Sequence, residues 1–170
     1  MDIGAKVTDG IYIGNIDTTR NDILQLYNIG YIVNLSGREY SCNVPVFNIL
    51  MDDTDVTFNT IDLYLRKFAA GVAAIESACN KGLNVLVHCS AGVNRSATTI
   101  GFYLIEQGWS YEDTFKALET ANNSRGVPIL TNYSFRYLLK SRADSEKNLR
   151  ARTAIFNAIA NRRFKIVATK

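Results

Sequence analysis

Apolar residues fall in short blocks along the chain, and the blocks change period. Residues 7–13 alternate through Val7, Ile11 and Ile13 and end on Gly14-Asn15, which predicts a short strand and a turn. Residues 17–29 place Ile23, Leu24, Leu26 and Tyr27 at helical spacing before Gly30, so a short helix with a glycine stop is expected. Tyr31-Ile32-Val33-Asn34-Leu35 is a compact apolar run bounded by Ser36-Gly37, the pattern of a buried strand. A further strand is predicted over 44–51, breaking at Asp52-Asp53-Thr54-Asp55. Ile61, Leu65, Phe68, Val72 and Ile75 then mark a long helix over 61–79, and residues 83–87 form a third, wholly apolar strand. Helical patterns follow over 96–107, 110–122 and 131–139. Strands alternating with helices predict an α/β domain: a mostly parallel central sheet flanked by helices.

Length and composition narrow the class without naming it. With 170 residues, the chain suits one domain, large enough to bury about two-thirds of its unfolded surface. No apolar run is long enough for a transmembrane helix. Met1-Asp2-Ile3-Gly4 has neither a basic, apolar leader nor a glycine at position 2, so neither a signal peptide nor myristoylation is expected. Cys42, Cys79 and Cys89 are unpaired in spacing, and His88 is the chain's single histidine. That set suits neither a structural zinc site nor a disulfide framework, and it points to a reducing compartment, cytoplasmic or nuclear.

The net charge of +3 is unevenly spread. From Lys140 onward nine basic residues face only Asp144 and Glu146, so the tail carries +7 and the body −4. Residues 1–140 read as the folded domain and 141–170 as a basic extension, with Ala154, Ile155, Ile159 and Ala160 predicting one more amphipathic helix with a frayed end.

The chemistry concentrates in Val87-His88-Cys89-Ser90-Ala91-Gly92-Val93-Asn94-Arg95-Ser96. A buried strand runs into a tight loop that opens a helix. At such a corner the unpaired first amides and the helix dipole favour an anion. A tight loop turns several N–H groups toward one centre, and Arg95 adds a planar fork suited to phosphate oxygens. The same field depresses the pKa of Cys89, making it a thiolate nucleophile aimed at phosphorus. His88 orders the loop, and Ser96 donates to the sulfur as it leaves. Alone, Cys89 would read as a small core residue and Arg95 as a solvated charge. Jointly, His-Cys-x-x-Gly-x-x-Arg followed by Ser or Thr is expected by chance in on the order of one chain in tens of thousands.

At these residues the sequence resembles the cysteine-dependent protein phosphatases, whose loop is Cys, five residues, Arg, then Ser or Thr. The nearer resemblance is to the small single-domain dual-specificity phosphatases. Ile11-Tyr12-Ile13-Gly14-Asn15 resembles their early strand, Phe102-Tyr103-Leu104 their post-loop helix, and Asn132 with Phe135 their late Asn-x-x-Phe element. The likeness spans about residues 7–139. It implies a shallow pocket for phosphotyrosine and phosphoserine or phosphothreonine on a phosphoprotein, with phosphate gripped by residues Ser90, Ala91, Gly92, Val93, Asn94 and Arg95. It implies no cofactor and no metal. It also implies a general acid, an Asp just past the strand before the long helix. Three compete: alternation through Phe47, Ile49 and Met51 favours Asp53, an Asp-Asp-Thr match to similar relatives favours Asp52, and Asp55 is the third.

Three functions remain open on sequence: a dual-specificity phosphatase, an RNA 5′-triphosphatase on the same fold, and a non-catalytic phospho-binding module. Asn94 before Arg95 and the basic tail lean toward RNA, whereas Ser96-Ala97 and the Asp-rich loop lean away. The tail is open to a solvated face, a homodimer contact, an acidic partner, an anionic membrane surface or nucleic acid. Cys42 or Cys79 could pair with an oxidised Cys89.

Overall fold

A computed structural model describes residues 4–167, with the side chains of 155, 156 and 158–167 outside the described set. One sheet carries β1 (Ala5–Thr8), β2 (Ile11–Gly14), β3 (Ile29–Asn34), β4 (Val46–Asn48) and β5 (Asn84–His88). Its spatial order is β1-β2-β5-β3-β4, with β1 antiparallel and the other pairings parallel. β5 is central: Gly14 of β2 and Asn34 of β3 both register with His88, so three strand ends converge where β5 stops. Alternation sends Val85 and Val87 into the main core and Leu86 into a smaller cluster with Ile32, Ile29 and Leu24, which explains a strand that is apolar throughout.

Among the described residues, five α-helices surround the sheet: α1 (Asn21–Leu26), α2 (Ile61–Asn80), α3 (Arg95–Glu106), α4 (Tyr111–Arg125) and α5 (Tyr133–Val167). α2 buries Tyr64, Phe68, Val72 and Ile75 along one face. Phe68 stacks on Phe102 of α3 at 5.3 Å and meets Phe135 of α5 edge-on at 5.3 Å, joining three helices through one ring. Ser110 caps α4 by accepting from the Asp113 amide at 3.0 Å.

Several expected elements differ. The single strand over 7–13 is a hairpin, β1 and β2, turning at Asp9-Gly10, where Gly10 takes φ +74°. The helix over 17–29 is a 3₁₀ turn (Ile16–Thr19) followed by α1, and it stops before Asn28 at φ +51°, so Gly30 lies within β3. The strand over 44–51 shrinks to three residues at the sheet edge. α5 runs unbroken across residue 140: Leu139 is in the core and Ala143 packs against it. Arg142 pairs with Glu106 at 3.0 Å, and the Arg150 guanidinium lies 3.5 and 3.4 Å from the Ile105 and Glu106 carbonyls at the end of α3. The stripe expected through Ile155, Ile159 and Ala160, and residues 1–3 and 168–170, lie outside the described residues. No described helix is long and apolar enough to cross a membrane.

Candidate active site

The loop from Cys89 to Asn94 leaves the central strand and enters α3 at Arg95. Gly92 makes the turn. Its φ is +69°, and a Cβ there would sit 2.5 Å from the Gly14 carbonyl and 2.6 Å from the Arg125 guanidinium, so a side chain is excluded twice over. The loop carbonyls are tied outward. Ala91 O accepts from Arg125 Nη2 at 3.0 Å, and Gly92 O accepts from Arg125 Nη1 at 3.0 Å and Asn122 Nδ2 at 2.9 Å. Val93 O accepts from the Leu130 amide at 3.0 Å. Because C=O and N–H oppose each other across a planar trans peptide, the next three amides are turned to the inside of the loop.

Arg95 is buried and stretched across strand ends. Nη1 donates to the Leu35 carbonyl at 2.9 Å and the Met51 carbonyl at 2.8 Å, and Nη2 donates to Ser90 Oγ at 3.0 Å. Its Nε is buried with no hydrogen-bond partner and stands 3.9 Å from Asp53 Oδ2. A buried donor left open beside inward-turned amides is what an oxyanion ligand would complete.

Cys89 is 1% exposed. Burial pushes its thiol up, but hydrogen bonds from the Ser96 side chain and backbone, the Arg95 charge and the Gly92 amide outweigh it, and the pKa falls below the ordinary thiol value. Ser96 Oγ lies 3.3 Å from the sulfur and the Gly92 nitrogen 3.2 Å. His88 is pushed down to about 4, chiefly by burial and also by Arg95, against its contact with the Cys89 carbonyl. Its imidazole is therefore neutral near pH 7. Nδ1 lies 3.4 Å from the Cys89 carbonyl and Nε2 lies 2.5 Å from Tyr40 Oη. Burial raises the Tyr40 pKa, so the phenol stays protonated; with the proton on Nδ1, both contacts are satisfied.

The carboxylate tied to the loop belongs to Asp53, 3.9 Å from Arg95 Nε. Oδ2 accepts from Asn94 Nδ2 and Oδ1 from Asn132 Nδ2, both at 3.1 Å. Asp52 and Asp55 are exposed, and among the described residues neither carboxylate has a hydrogen bond; Asp52 contributes only its backbone carbonyl, 3.3 Å from Tyr64 Oη. Alternation leads to Asp53 through Ile49 and Met51, both buried, but Phe47 is 38% exposed, so the expected three-residue apolar face is two residues long.

The structure thus brings together His88, Cys89, the 90–94 loop, Arg95, Ser96 and Asp53. It does not bring in the other cysteines. All three are free thiols. Cys79 ends α2 near the start of β5, the far end of the strand from Cys89, and burial pushes its thiol up. Cys42 packs with Tyr40 in the minor cluster across the sheet from the main core, and its Sγ lies 3.4 Å from Val44 O. Sequence reasoning missed Asn122, Arg125, Tyr40 and the carbonyls of Leu35 and Met51. Asn122 and Arg125 had a signal: they continue the buried α4 stripe of Thr114, Leu118 and Ala121, where polar side chains need partners.

A buried cysteine of lowered pKa, in a loop that opens a helix at a buried arginine with a carboxylate 3.9 Å from its Nε, sits here at the end of the central strand of a mixed α/β sheet. The chain belongs to the family of the dual specificity phosphatase catalytic domain, which matches residues 11–144. The dual specificity protein phosphatase OPG106 of variola virus is similar, 34% identical over 110 residues, covering 62% of this chain and 60% of that protein. The matched segment therefore spans about three-fifths of that relative's length. The crystal structure of DUSP15 is similar in fold, with TM-score 0.71 and 24% identity over 89% of this chain and 95% of that one. So is OH1 from the Orf virus, a tyrosine phosphatase with triple substrate specificity, at TM-score 0.61 and 24% identity over 80% and 83%.

Proposed function

We propose that the protein hydrolyses phosphate monoesters on phosphotyrosine and on phosphoserine or phosphothreonine of proteins, through a phosphocysteine on Cys89. One observation carries the reading: a sulfur with a depressed pKa despite deep burial, 3.2 Å from the Gly92 amide, in a loop that leads to an arginine whose buried Nε is open. The phosphate dianion docks on those donors, which meet the negative charge of the transferring group. Cys89 Sγ attacks phosphorus, the P–O ester bond breaks, and Asp53 as the acid gives its proton to the leaving oxygen. Asp53, now a carboxylate, takes a proton from the water that attacks the phosphocysteine. The P–S bond breaks, inorganic phosphate forms, and the Ser96 hydroxyl receives the returning thiolate charge.

The test is a substrate panel of phosphotyrosine, phosphothreonine and phosphoinositide ligands and a triphosphate-ended RNA, run with Cys89→Ser as control. Turnover of the phosphopeptides that the variant abolishes supports the reading. Faster turnover of the RNA end supports a 5′-triphosphatase instead, and a wild-type protein inert on every arm leaves only phosphate binding.

The basic segment after residue 140 offers its exposed Lys147 and Arg152 to an acidic partner or a second copy, while Arg142 and Arg150 are engaged with the domain itself. Salt-dependent sedimentation of the full chain tests this. A thiolate nucleophile requires a reducing compartment, cytoplasm or nucleus, and fractionation of the host cell checks that placement.

A further inference from the structure

Asn132 does two jobs with one amide. Its Oδ1 accepts from the Ser134 amide at 3.1 Å, the Phe135 amide at 3.2 Å and Ser134 Oγ at 2.7 Å, which caps α5. Its Nδ2 donates away from the helix, to Asp53 Oδ1 at 3.1 Å and the Thr54 carbonyl at 3.1 Å. Capping needs only the oxygen, and Ser, Thr or Asp would supply it. The donor half is what only the amide adds, and an Asp here would set one carboxylate against another.

The contacts close into a ring. The Asn132 backbone amide donates to Asn94 Oδ1 at 3.0 Å, and Asn94 Nδ2 donates to Asp53 Oδ2 at 3.1 Å. Asp53, Asn94 and Asn132 come from three separate segments, and each touches the other two. The acid segment needs such a tether. Residues 52–55 are exposed and outside any strand or helix, and polar contacts hold the stretch: Val56 N to Ser134 Oγ at 3.0 Å, and Thr54 Oγ1 with Tyr64 Oη at 2.9 Å.

We infer that Asn132, through Nδ2 and with Asn94 as its relay, is the positioning residue that holds the Asp53 carboxyl over the phosphate cradle before substrate arrives. The inference rests on the phosphatase reading above. Asn132 touches neither sulfur nor phosphate and acts only through Asp53.

The experiment measures kcat/KM of the full chain on phenyl phosphate, a poor leaving group, and p-nitrophenyl phosphate, a good one; this ratio reports steps through P–O cleavage. Asn132→Ser keeps a cap oxygen and deletes the donor. Expected is a loss of about tenfold or more on phenyl phosphate but at most about twofold on p-nitrophenyl phosphate, since misplacing an acid hurts most where the oxygen needs its proton. Vanadate inhibition and Tm stay near wild type. In an Asp53→Asn background the same substitution has no further effect, because a role exercised through Asp53 disappears with it. Should Asn132→Ser fail to fold, Asn132→Asp retains the cap and gives the same selective loss. Equal losses on both substrates, no loss, or additivity with Asp53→Asn overturn the assignment. A wild-type protein inert on both aryl phosphates removes the phosphatase reading and the clamp together, whereas active wild type with an unchanged leaving-group response removes the clamp alone.

Discussion

The loop around Cys89 and the segment carrying Asp53 meet in one site but are built in opposite ways. The first is a run of consecutive residues between a central strand and a helix, with Cys89, Arg95 and Ser96 buried and its carbonyls tied to α4. The second has no regular structure, is exposed, and is held by amides from elsewhere in the chain. In the proposed mechanism the nucleophile's charge depends on a dense set of dipoles that must not move, whereas the acid needs one carboxyl placed at one spot. Damage to the first region should therefore reach every substrate, and damage to the second should depend on the leaving group.

Cys89→Ser breaks the comparison most completely: turnover falls at least about ten-thousandfold on every substrate while vanadate binding persists, checked by steady-state kinetics and calorimetry. Arg95→Lys loses the fork that spans Leu35, Met51 and Ser90; kcat/KM falls about a hundred- to a thousandfold, evenly across leaving groups, and vanadate binds more weakly. Asp53→Asn costs about a hundredfold on phenyl phosphate and far less on p-nitrophenyl phosphate, with Asp52→Asn near wild type. If Asp52→Asn reproduces the selective loss, the acid segment works in the other register. Ser96→Ala removes the closest side-chain donor to the sulfur, so the thiolate is harder to form and the midpoint of Cys89 alkylation moves to higher pH. Below that midpoint the variant reacts more slowly than wild type, and well above it the two converge. Phosphocysteine breakdown slows about tenfold, read by burst kinetics.

The two regions also differ in how legible they were. The strand, loop and helix around Cys89 could be read because the residues are consecutive and the strand and helix announce themselves in the apolar pattern. Arg95's anchors could not, since backbone carbonyls of Leu35 and Met51 carry no residue signature. Alternation held at Ile49 and Met51, yet failed at Phe47 because a three-residue edge strand buries one side incompletely. The hairpin went unread because Asp9-Gly10 lies inside a stretch that alternates anyway. Arg150 illustrates the remaining gap. Its charge reads as solvated, and only the return of α5 along α3 shows it beside the Ile105 and Glu106 carbonyls.

The discharged imidazole beside Cys89 sets how this nucleophile is balanced electrically. A cysteine that borrows its negative charge from a protonated histidine works only while both partners are ionised, and its useful range closes where the ring gives up its proton. Here the compensation comes from amides and a guanidinium, which hold their polarity throughout the aqueous range. His88 therefore draws no boundary at neutral pH, and under the proposed mechanism activity persists on the alkaline side, where an ion-paired thiolate would lose its counterion.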